Sequence, residues 1–341
     1  MMQEINILAI ETSCDETAVA IIRNGKDILS NIVSSQIDIH KEYGGVVPEI
    51  ASRIHIENIS LVIEEALKQA NLSMDDITAI GFTQGPGLVG CLHIGVLAAK
   101  SLAWSYDKPL IPIHHILGHI CANEFVTQLK FPVLALVVSG GHTELVWMES
   151  FSEFELIGST QDDAIGEAFD KVARVMGLSY PGGVAVDKLA KEGKEHYTLP
   201  VPKTEKPYDF SFSGLKSAVL QLIAREKKAG REINNADLAY AFQKTAIKQL
   251  LDKTELLIQN RKPAHVVLAG GVAANSYLRE EITKQMEKHA DIELTIPPMY
   301  CCTDNAAMIG VAAYHRYLNH SFADLSVSAD PGLDMIRSIH R

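Results

Sequence analysis

Two stretches far apart in the chain decide the fold: LAIETSCDETAVA at residues 8–20 and LALVVSGGHTELV at residues 134–146. They align without gaps. Each consists of an apolar run, a short polar turn and a second run that alternates apolar and polar residues, which predicts a β-hairpin with a polar tip. Either the two hairpins are alike by chance, or they mark the start of two copies of a duplicated domain.

The sequence that follows each hairpin favours duplication. In the first half, strand-like runs at 77–83 and 109–115 are each followed by a helical pattern. In the second half, the runs at 264–270 and 292–297 are followed in the same way. Alternation of strands and helices builds a sheet covered by helices. We therefore predict a duplicated α/β fold with two lobes.

The predicted lobes are an N-terminal lobe at residues 1–130 and a C-terminal lobe at residues 131–341. A chain of 341 residues suits two domains of ordinary size better than one core. Residues 177–212 are rich in Pro, Gly and aromatic side chains without a regular period. This stretch is predicted to be an insertion or a long loop in the C-terminal lobe.

The composition is that of a globular protein, with 47% hydrophobic and 21% charged residues. The net charge is -11, whereas a generic nucleic-acid binder is usually basic. Contact with RNA would therefore need a local basic patch or a partner's surface. The window 188–231 holds ten Lys and Arg residues against five acidic ones. This basic island is either a solvated face or a contact for the phosphate backbone.

The lack of a recognisable targeting signal and the pattern of cysteines predict a cytoplasmic protein with no membrane attachment. The first residues lack the positive charge and cleavage site of a signal peptide, and no apolar run is as long as a membrane span. The five cysteines form no C-x-x-C pair, which suits a reducing compartment. They are Cys14, Cys91, Cys121, Cys301 and Cys302.

The clearest chemical motif is HHILGH at residues 114–119, at the start of a helical pattern near 116–128. His115 and His119 are four residues apart, so on a helix they share one face and could hold one ion. Alternatively, they are two exposed or capping histidines. The motif is not the metalloprotease H-E-x-x-H, because Ile116 stands where the general base would be.

A third ligand candidate is Asp304, in CCTDNAAMIG. Thr303 or Asp304 could instead be the N-cap of the helix that follows. Two histidines and one carboxylate would leave coordination positions open for water or substrate, which suits Fe(II) and also Zn²⁺.

Three further motifs place glycines or carboxylates where a nucleotide could bind. VSGGH is the tip of the second hairpin and consists of Val138, Ser139, Gly140, Gly141 and His142. In VVLAGGVAANSYLR, a strand runs into two glycines and then a helix, with Asn275 in its first turn. Asp170 and Asp187 frame the turn that contains Gly183, and these carboxylates could grip ribose hydroxyls. Each motif is also compatible with an ordinary structural turn.

Taken together, the motifs resemble one family. They are IETSCDET, SQIDIHKEYGGVVPEIASRIH, TQGPGLVGCLHIG, HHILGH, VVSGGHTEL, GEAFDKVARVMGLSYPGG, FSFSGLK and AGGVAANSYLR, in colinear order. They are similar to the bacterial branch of the tRNA N6-adenosine threonylcarbamoyltransferase family (TsaD, formerly called glycoprotease-like). The resemblance implies a duplicated actin/sugar-kinase/heat-shock-70 (ASKHA) fold.

The resemblance also implies roles for the residues singled out above. His115, His119 and Asp304 would bind one divalent metal ion per subunit, Fe(II) or Zn. Val138 to His142, Asp170, Gly183, Asp187 and Asn275 would contact the adenylate substrate. The implied enzyme is a metal-dependent acyltransferase that moves the threonylcarbamoyl group from L-threonylcarbamoyl-AMP to N6 of adenosine 37 in tRNAs that read codons beginning with A.

The implied partners are tRNA, a paralogous protein of the same fold (TsaB) and a small P-loop ATPase (TsaE). An alternative function is that of an ASKHA-fold ATPase or small-molecule kinase, because fold alone does not fix function. A metalloprotease is disfavoured by the missing Glu, and a scaffold without activity by the intact His115, His119 and Asp304 set.

Overall fold

The computed structural model describes residues 4–335, which form two compact units. The first unit contains the described residues of Met1–Gln128, Ser150–Phe154 and Pro297–Arg341, and the second contains Leu129–Glu149 and Glu155–Ile296. None of the helices in residues 4–335 combines the length and the apolar character that a membrane crossing requires.

The first unit is built on a five-stranded sheet. Its strands are β1 (Asn6–Glu11), β2 (Glu16–Arg23), β3 (Asp27–Ser35), β4 (Ala79–Gly85) and β5 (Leu110–His114). Their order is β3-β2-β1-β4-β5, with β1 antiparallel to β2 and parallel to β4. Every residue of the central strand β1 is buried, as its apolar run predicts.

The second unit repeats this arrangement strand for strand. Its strands are β6 (Val133–Val138), β7 (Thr143–Ser150), β8 (Glu153–Ser159), β9 (His265–Ala269) and β10 (Glu293–Thr295). Their order is β10-β9-β6-β7-β8, again with the hairpin strands antiparallel and the later strand β9 parallel to β6. The two aligned hairpins are therefore equivalent parts of two related sheets, and the predicted duplication is confirmed.

The helices cover these sheets. The first sheet's strands are interleaved with α1 (Ile37–Lys41), α2 (Pro48–Ala70), α3 (Val89–Tyr106) and α4 (His115–Cys121). After the second hairpin come α5 (Ile165–Val175), α6 (Gly182–Ala190), α7 (Ser213–Lys228), α8 (Asn235–Arg261), α9 (Ser276–Met286), α10 (Met299–Cys302) and α11 (Ala306–Leu318). Short 3₁₀ turns occupy Met74–Asp76, Ala122–Phe125 and Gly271–Ala274.

Two elements differ from the sequence prediction. The helix predicted near 116–128 ends at Cys121, where the Asn123 side chain donates to the Ile120 carbonyl and a 3₁₀ turn follows. The stretch 177–212, predicted to be an insertion or long loop, contains the regular helix α6. The remainder of that stretch is irregular up to α7, apart from a single bridge at Phe210.

The grouping of the C-terminal segment also differs from the predicted lobes 1–130 and 131–341. Residues from Pro297 onward are grouped with the first unit, because α11 packs against β1, β2 and α4. Gly310 permits this close approach: a Cβ there would lie 2.4 Å from Ile22. The opposite face of the sheet packs against α2 and α3 through an apolar core that includes Ile59, Phe82 and Val96.

Candidate functional site

The histidine pair lies where a strand turns directly into a helix. β5 ends at His114, whose ring Nδ1 accepts a hydrogen bond from the Ile116 N–H at 3.2 Å and so caps α4. His115 and His119 are both buried, and their Nε2 atoms are 3.2 Å apart. The four-residue spacing therefore places both imidazoles on one face of α4, as predicted.

Asp304 joins the pair from a distant part of the chain. Its Oδ1 lies 3.0 Å from Nε2 of His119 and 3.5 Å from Nε2 of His115. The alternative that Thr303 or Asp304 caps the following helix is wrong. Asn305 is the N-cap of α11, and its side chain accepts from the Met308 N–H at 3.1 Å. The Asp304 carboxylate is therefore left facing the histidines.

These donor atoms fit one divalent ion. Two ligands at about 2.1 Å from an ion, separated by roughly a right angle or slightly more, lie about 3.0–3.4 Å apart. The three donor-to-donor distances in the cluster are 3.2, 3.0 and 3.5 Å. Two imidazoles and one carboxylate leave further coordination positions open, a donor set that suits Fe(II) and Zn²⁺.

A further group beside the cluster, the buried Glu11, was not predicted from the sequence. It is the last residue of β1 and has no exposed surface, and its Oε2 lies 3.0 Å from Nδ1 of His115. The Ser13 N–H and the Thr83 hydroxyl also donate to its carboxylate. The signal in the sequence was a charged residue at the end of the apolar run 7–10, where a buried carboxylate requires partners.

Glu11 and His115 shift each other's pKa in opposite directions. Burial acts to lower the pKa of His115, but the carboxylates of Glu11 and Asp304 raise it to about 9. Burial acts to raise the pKa of Glu11, but the charge and hydrogen bond of His115 outweigh it and lower this pKa. The site therefore stabilises a positive charge at His115, and a metal cation at Nε2 would supply that charge in place of a proton.

In the second unit, the turn Val138–His142 closes the hairpin between β6 and β7. The Ser139 N–H donates to the His142 carbonyl at 2.8 Å, and the His142 N–H donates to Ser139 Oγ at 3.0 Å. No atom lies within 4 Å of the position that a Cβ would take at Gly140 or Gly141. The turn thus has room for a ligand to approach its backbone.

The end of β9 lies directly beside this turn. Gly270 has φ +90°, and a Cβ on it would lie 2.5 Å from the Val138 carbonyl oxygen, so both its conformation and its surroundings require glycine. The glycines do not lead straight into a helix as the motif suggested. A 3₁₀ turn, Gly271–Ala274, comes first, and Asn275 is the N-cap of α9 instead of a residue of its first turn.

The Asp170 carboxylate organises the turn that contains Gly183. Its Oδ1 accepts from the Gly182 N–H at 2.7 Å, and the carboxylate also accepts from the Gly183 N–H. Burial raises the pKa of Asp170 in spite of these two hydrogen bonds. The helix that carries Asp170 is tied to the hairpin tip, because the Gly166 N–H donates to the Ser139 carbonyl at 3.1 Å.

Asp187 and Asn275 both make hydrogen bonds at the start of α9. Asp187, in the second half of α6, accepts from the Ser276 hydroxyl at 2.9 Å. Asn275 Oδ1 accepts from the Leu278 N–H at 2.9 Å, while its Nδ2 donates to Gln243 at 2.8 Å. Hydrogen bonds thus connect the hairpin tip, α5, α6 and α9 in sequence. All nine residues predicted to contact substrate belong to the second unit, and the three predicted metal ligands belong to the first.

Solved structures of similar shape define the class of protein. Full-length HypF in its phosphate- and nucleotide-bound form matches with a TM-score of 0.61 and 16% identity, over 93% of this chain and 47% of that one. HypF from T. kodakarensis matches with a TM-score of 0.66 and 15% identity, over 96% of this chain and 50% of that one. Component A of the Acidaminococcus fermentans (R)-2-hydroxyglutaryl-CoA dehydratase matches with a TM-score of 0.55 and 14% identity, over 92% of this chain and 99% of that one. With its two repeated sheets, the chain is an α/β protein of the actin/sugar-kinase/heat-shock-70 fold.

Sequence comparison identifies the family within that class. The family model for tRNA N6-adenosine threonylcarbamoyltransferase matches residues 27–311. The curated enzymes of that name from Staphylococcus aureus strain JH9 and Geobacillus kaustophilus strain HTA426 are 53% identical over 336 residues and 52% identical over 337 residues, and each match covers 98% of both chains. The chain belongs to the tRNA N6-adenosine threonylcarbamoyltransferase family, and the resemblance drawn from its motifs is confirmed.

Proposed function

We propose that the protein transfers the threonylcarbamoyl group of L-threonylcarbamoyl-AMP to N6 of adenosine 37 in tRNAs that read codons beginning with A. Membership of the family over nearly the whole chain carries the proposal. In the transfer, N6 bonds to the carbamoyl carbon, the bond from that carbon to the phosphate oxygen breaks, AMP leaves and N6 loses one proton. The donor must be an activated anhydride, because the N6 lone pair is delocalised into the adenine ring.

His115, His119 and Asp304 would hold one divalent ion per subunit, Fe(II) or Zn²⁺. Bound there, the ion would act as a Lewis acid toward the carbamoyl group. The cluster of three donors, with their facing atoms 3.0 to 3.5 Å apart, supports this assignment. The protein's own part is to keep both imidazoles on one buried face of α4 and to supply one carboxylate from the segment before α11.

The adenylate part of the donor would bind in the second unit. The Val138–His142 turn offers backbone N–H groups with open space at Gly140 and Gly141, which suits a phosphate. Asn275, the N-cap of α9, and Asp187 of α6, which accepts from the Ser276 hydroxyl, would orient the nucleoside. Asp170 contributes by holding the N–H groups of Gly182 and Gly183 in one turn.

The cysteines support direct transfer without a covalent enzyme intermediate. Burial raises the pKa of Cys14 and of Cys121, and it raises the pKa of Cys91 and of Cys301 to about 12. A thiol that keeps its proton at neutral pH is a poor nucleophile. The amine of the acceptor would therefore attack the donor itself.

We further propose, from the family alone, that the enzyme acts in the cytoplasm with a paralogous partner of the same fold and a small P-loop ATPase.

The decisive experiment measures the modified nucleoside. In cells depleted of this protein, nucleoside mass spectrometry of tRNA should show loss of N6-threonylcarbamoyladenosine, and expression of the wild-type chain should restore it. Expression of an Asp304→Ala variant at equal level should not. If the modification persists after depletion, the proposal is wrong. The alternative of an ATPase or small-molecule kinase would instead give steady ATP turnover by the purified chain in the absence of tRNA.

A further inference from the structure

Glu11 is the most completely enclosed carboxylate beside the candidate metal site. It has no exposed surface. One carboxylate oxygen accepts from the Ser13 N–H, and the other accepts from the Thr83 hydroxyl and faces Nδ1 of His115 at 3.0 Å. The carboxylate thus lies on the side of the His115 ring opposite to Nε2, the atom that faces Asp304. Glu11 is not one of the three clustered donors.

The two histidines of the pair are held differently on the side away from the site. Nδ1 of His115 has Glu11 at 3.0 Å and the Ser13 hydroxyl at 3.2 Å. Nδ1 of His119 is buried and has no hydrogen-bond partner among residues 4–335. On the side away from the site, hydrogen bonds therefore hold the ring of His115, whereas the ring of His119 is held there by packing.

We propose that Glu11 is a positioning residue for His115. An imidazole that donates Nδ1–H to a carboxylate is held as the tautomer whose Nε2 lone pair is free, and it becomes a stronger ligand. Thr83 and Ser13 in turn fix the Glu11 carboxylate, so the end of β1, β4 and the first hairpin tip together orient one metal ligand. This inference rests on the proposed metal site at His115, His119 and Asp304.

The test measures ion affinity and not turnover. Full-length Glu11→Gln protein is titrated with Zn²⁺ and, separately, with Co²⁺ at constant pH, with the Co²⁺ absorption bands recorded. Gln has the same shape but lacks the negative charge, so we expect the affinity to fall about 10–100-fold and the Co²⁺ bands to shift. Thr83→Val, which removes a donor to Glu11, should give a smaller loss in the same direction. The matched control is Glu255→Gln, which disrupts a Glu–His hydrogen bond of 3.0 Å to His289 in the second unit.

The outcomes separate this inference from the proposed site. If His115→Ala loses the ion while Glu11→Gln and Thr83→Val bind it like the wild type, the positioning role of Glu11 is wrong and the site stands. If His115→Ala binds the ion unchanged, the proposed site fails and this inference fails with it. Should Glu11→Gln prove unfolded by circular dichroism, Thr83→Val alone decides, and unchanged affinity in that variant overturns the inference.

Discussion

His119 contributes one nitrogen to a three-residue cluster that combines two donors of one helix with a carboxylate from a distant segment. His115 is the first residue of α4, His119 lies one turn later, and Asp304 precedes the capped start of α11. If the three donors share one ion, as proposed, removal of any one should weaken binding more than the loss of an outer hydrogen bond. The proposed metal binding of the first unit thus depends on two imidazole nitrogens and one carboxylate oxygen.

For His119→Ala, we expect metal affinity to fall by well over ~10-fold with the fold retained, because even the loss of outer partners reaches about 10–100-fold. Elemental analysis after dialysis against a chelator measures the change. His93→Ala, at an exposed position of α3, is the matched control and should keep the wild-type metal content. Equal metal in His119→Ala and the wild type would contradict the assignment.

Asn275 caps α9 and is also proposed to contact the adenylate, and the two roles can be tested with two substitutions. Asn275→Ala removes the N-cap of α9 and should lower the free energy of unfolding by about 1 kcal/mol. Asn275→Asp keeps the cap oxygen for the Leu278 N–H but removes the Nδ2 donor to Gln243, so any loss of stability in urea reports that hydrogen bond and not the cap. Both should weaken binding of a stable donor analogue by about 1–3 kcal/mol in calorimetry. Unchanged affinity in both variants would remove Asn275 from the adenylate site.

At the scale of elements, the candidate metal site depends on how closely α11 approaches the first sheet. A Cβ at Gly310 would meet Ile22 at 2.4 Å and Ala9 at 3.4 Å, and one at Gly81 would meet Ala313 at 2.6 Å. Both positions lie between α11 and the strands, so these glycines set the distance between helix and sheet. Asp304 lies just before α11 and is carried by this packing.

The same substitution should therefore have opposite effects in two helices. Gly310→Ala is expected to destabilise the protein by about 1–3 kcal/mol through overpacking, although Ala favours a helix. At Gly214, in the first turn of α7, nothing lies within 4 Å of the added Cβ. Gly214→Ala should leave stability unchanged or raise it by up to about 1 kcal/mol. Denaturant unfolding of both variants measures this, and a stabilised Gly310→Ala would refute the packing argument.

His265 joins two elements of the second sheet and makes its stability depend on pH. Its Nδ1 accepts from the Lys130 N–H at 3.2 Å, and its Nε2 lies 2.7 Å from the Thr295 hydroxyl. Burial lowers the pKa of His265 below its ordinary value. The unfolded chain therefore takes up a proton more readily than the folded one, so this contribution to stability is present above about pH 6.5 and is lost as the pH falls below it.

His265→Gln should therefore flatten the decline of unfolding free energy between about pH 6.5 and 5. His93→Gln, at an exposed histidine, should retain the wild-type slope. The measurement is urea unfolding at a series of pH values. Identical slopes in His265→Gln and the wild type would show that the buried imidazole is not the source of the acid sensitivity.

The whole molecule carries a net charge of -11, yet the proposed acceptor is a polyanion. The basic island at 188–231 is exposed in the structure at Lys203, Lys206, Lys227, Lys228 and Arg231. Arg231 is already engaged, since its guanidinium donates to both oxygens of Glu226. The lysines near the end of α7 are therefore the better candidates for phosphate contacts.

Reversal of Lys227 and Lys228 to Glu should weaken tRNA binding across sequences and leave donor binding intact. Each lost phosphate contact should flatten the slope of log affinity against log salt by about one unit. Reversal of the exposed Lys26 and Lys288 is the matched control for net charge. If both double variants show equal tRNA affinity and salt slope in the assembled system, the island is a solvated face.

The sequence by itself determined the parts of this protein that depend on local spacing. The two hairpins, the strands and helices that follow them and the pairing of His115 with His119 all arise from periodicities of two or about four residues. Family membership was also readable from the order of the motifs. These features need only neighbouring residues, so no distant contact had to be known.

Only the tertiary structure decided which distant residues meet. Asp304 reaches His119 across 185 positions of the chain, and sequence left its role open between ligand and cap. Asn305 caps α11, which excludes the cap role for Asp304, and Gly310 lets the helix pack closely against Ile22 of the first sheet. Glu11 is a second example. Its charge is visible in the sequence, but its partners depend on side-chain packing between separate strands, which no local pattern encodes.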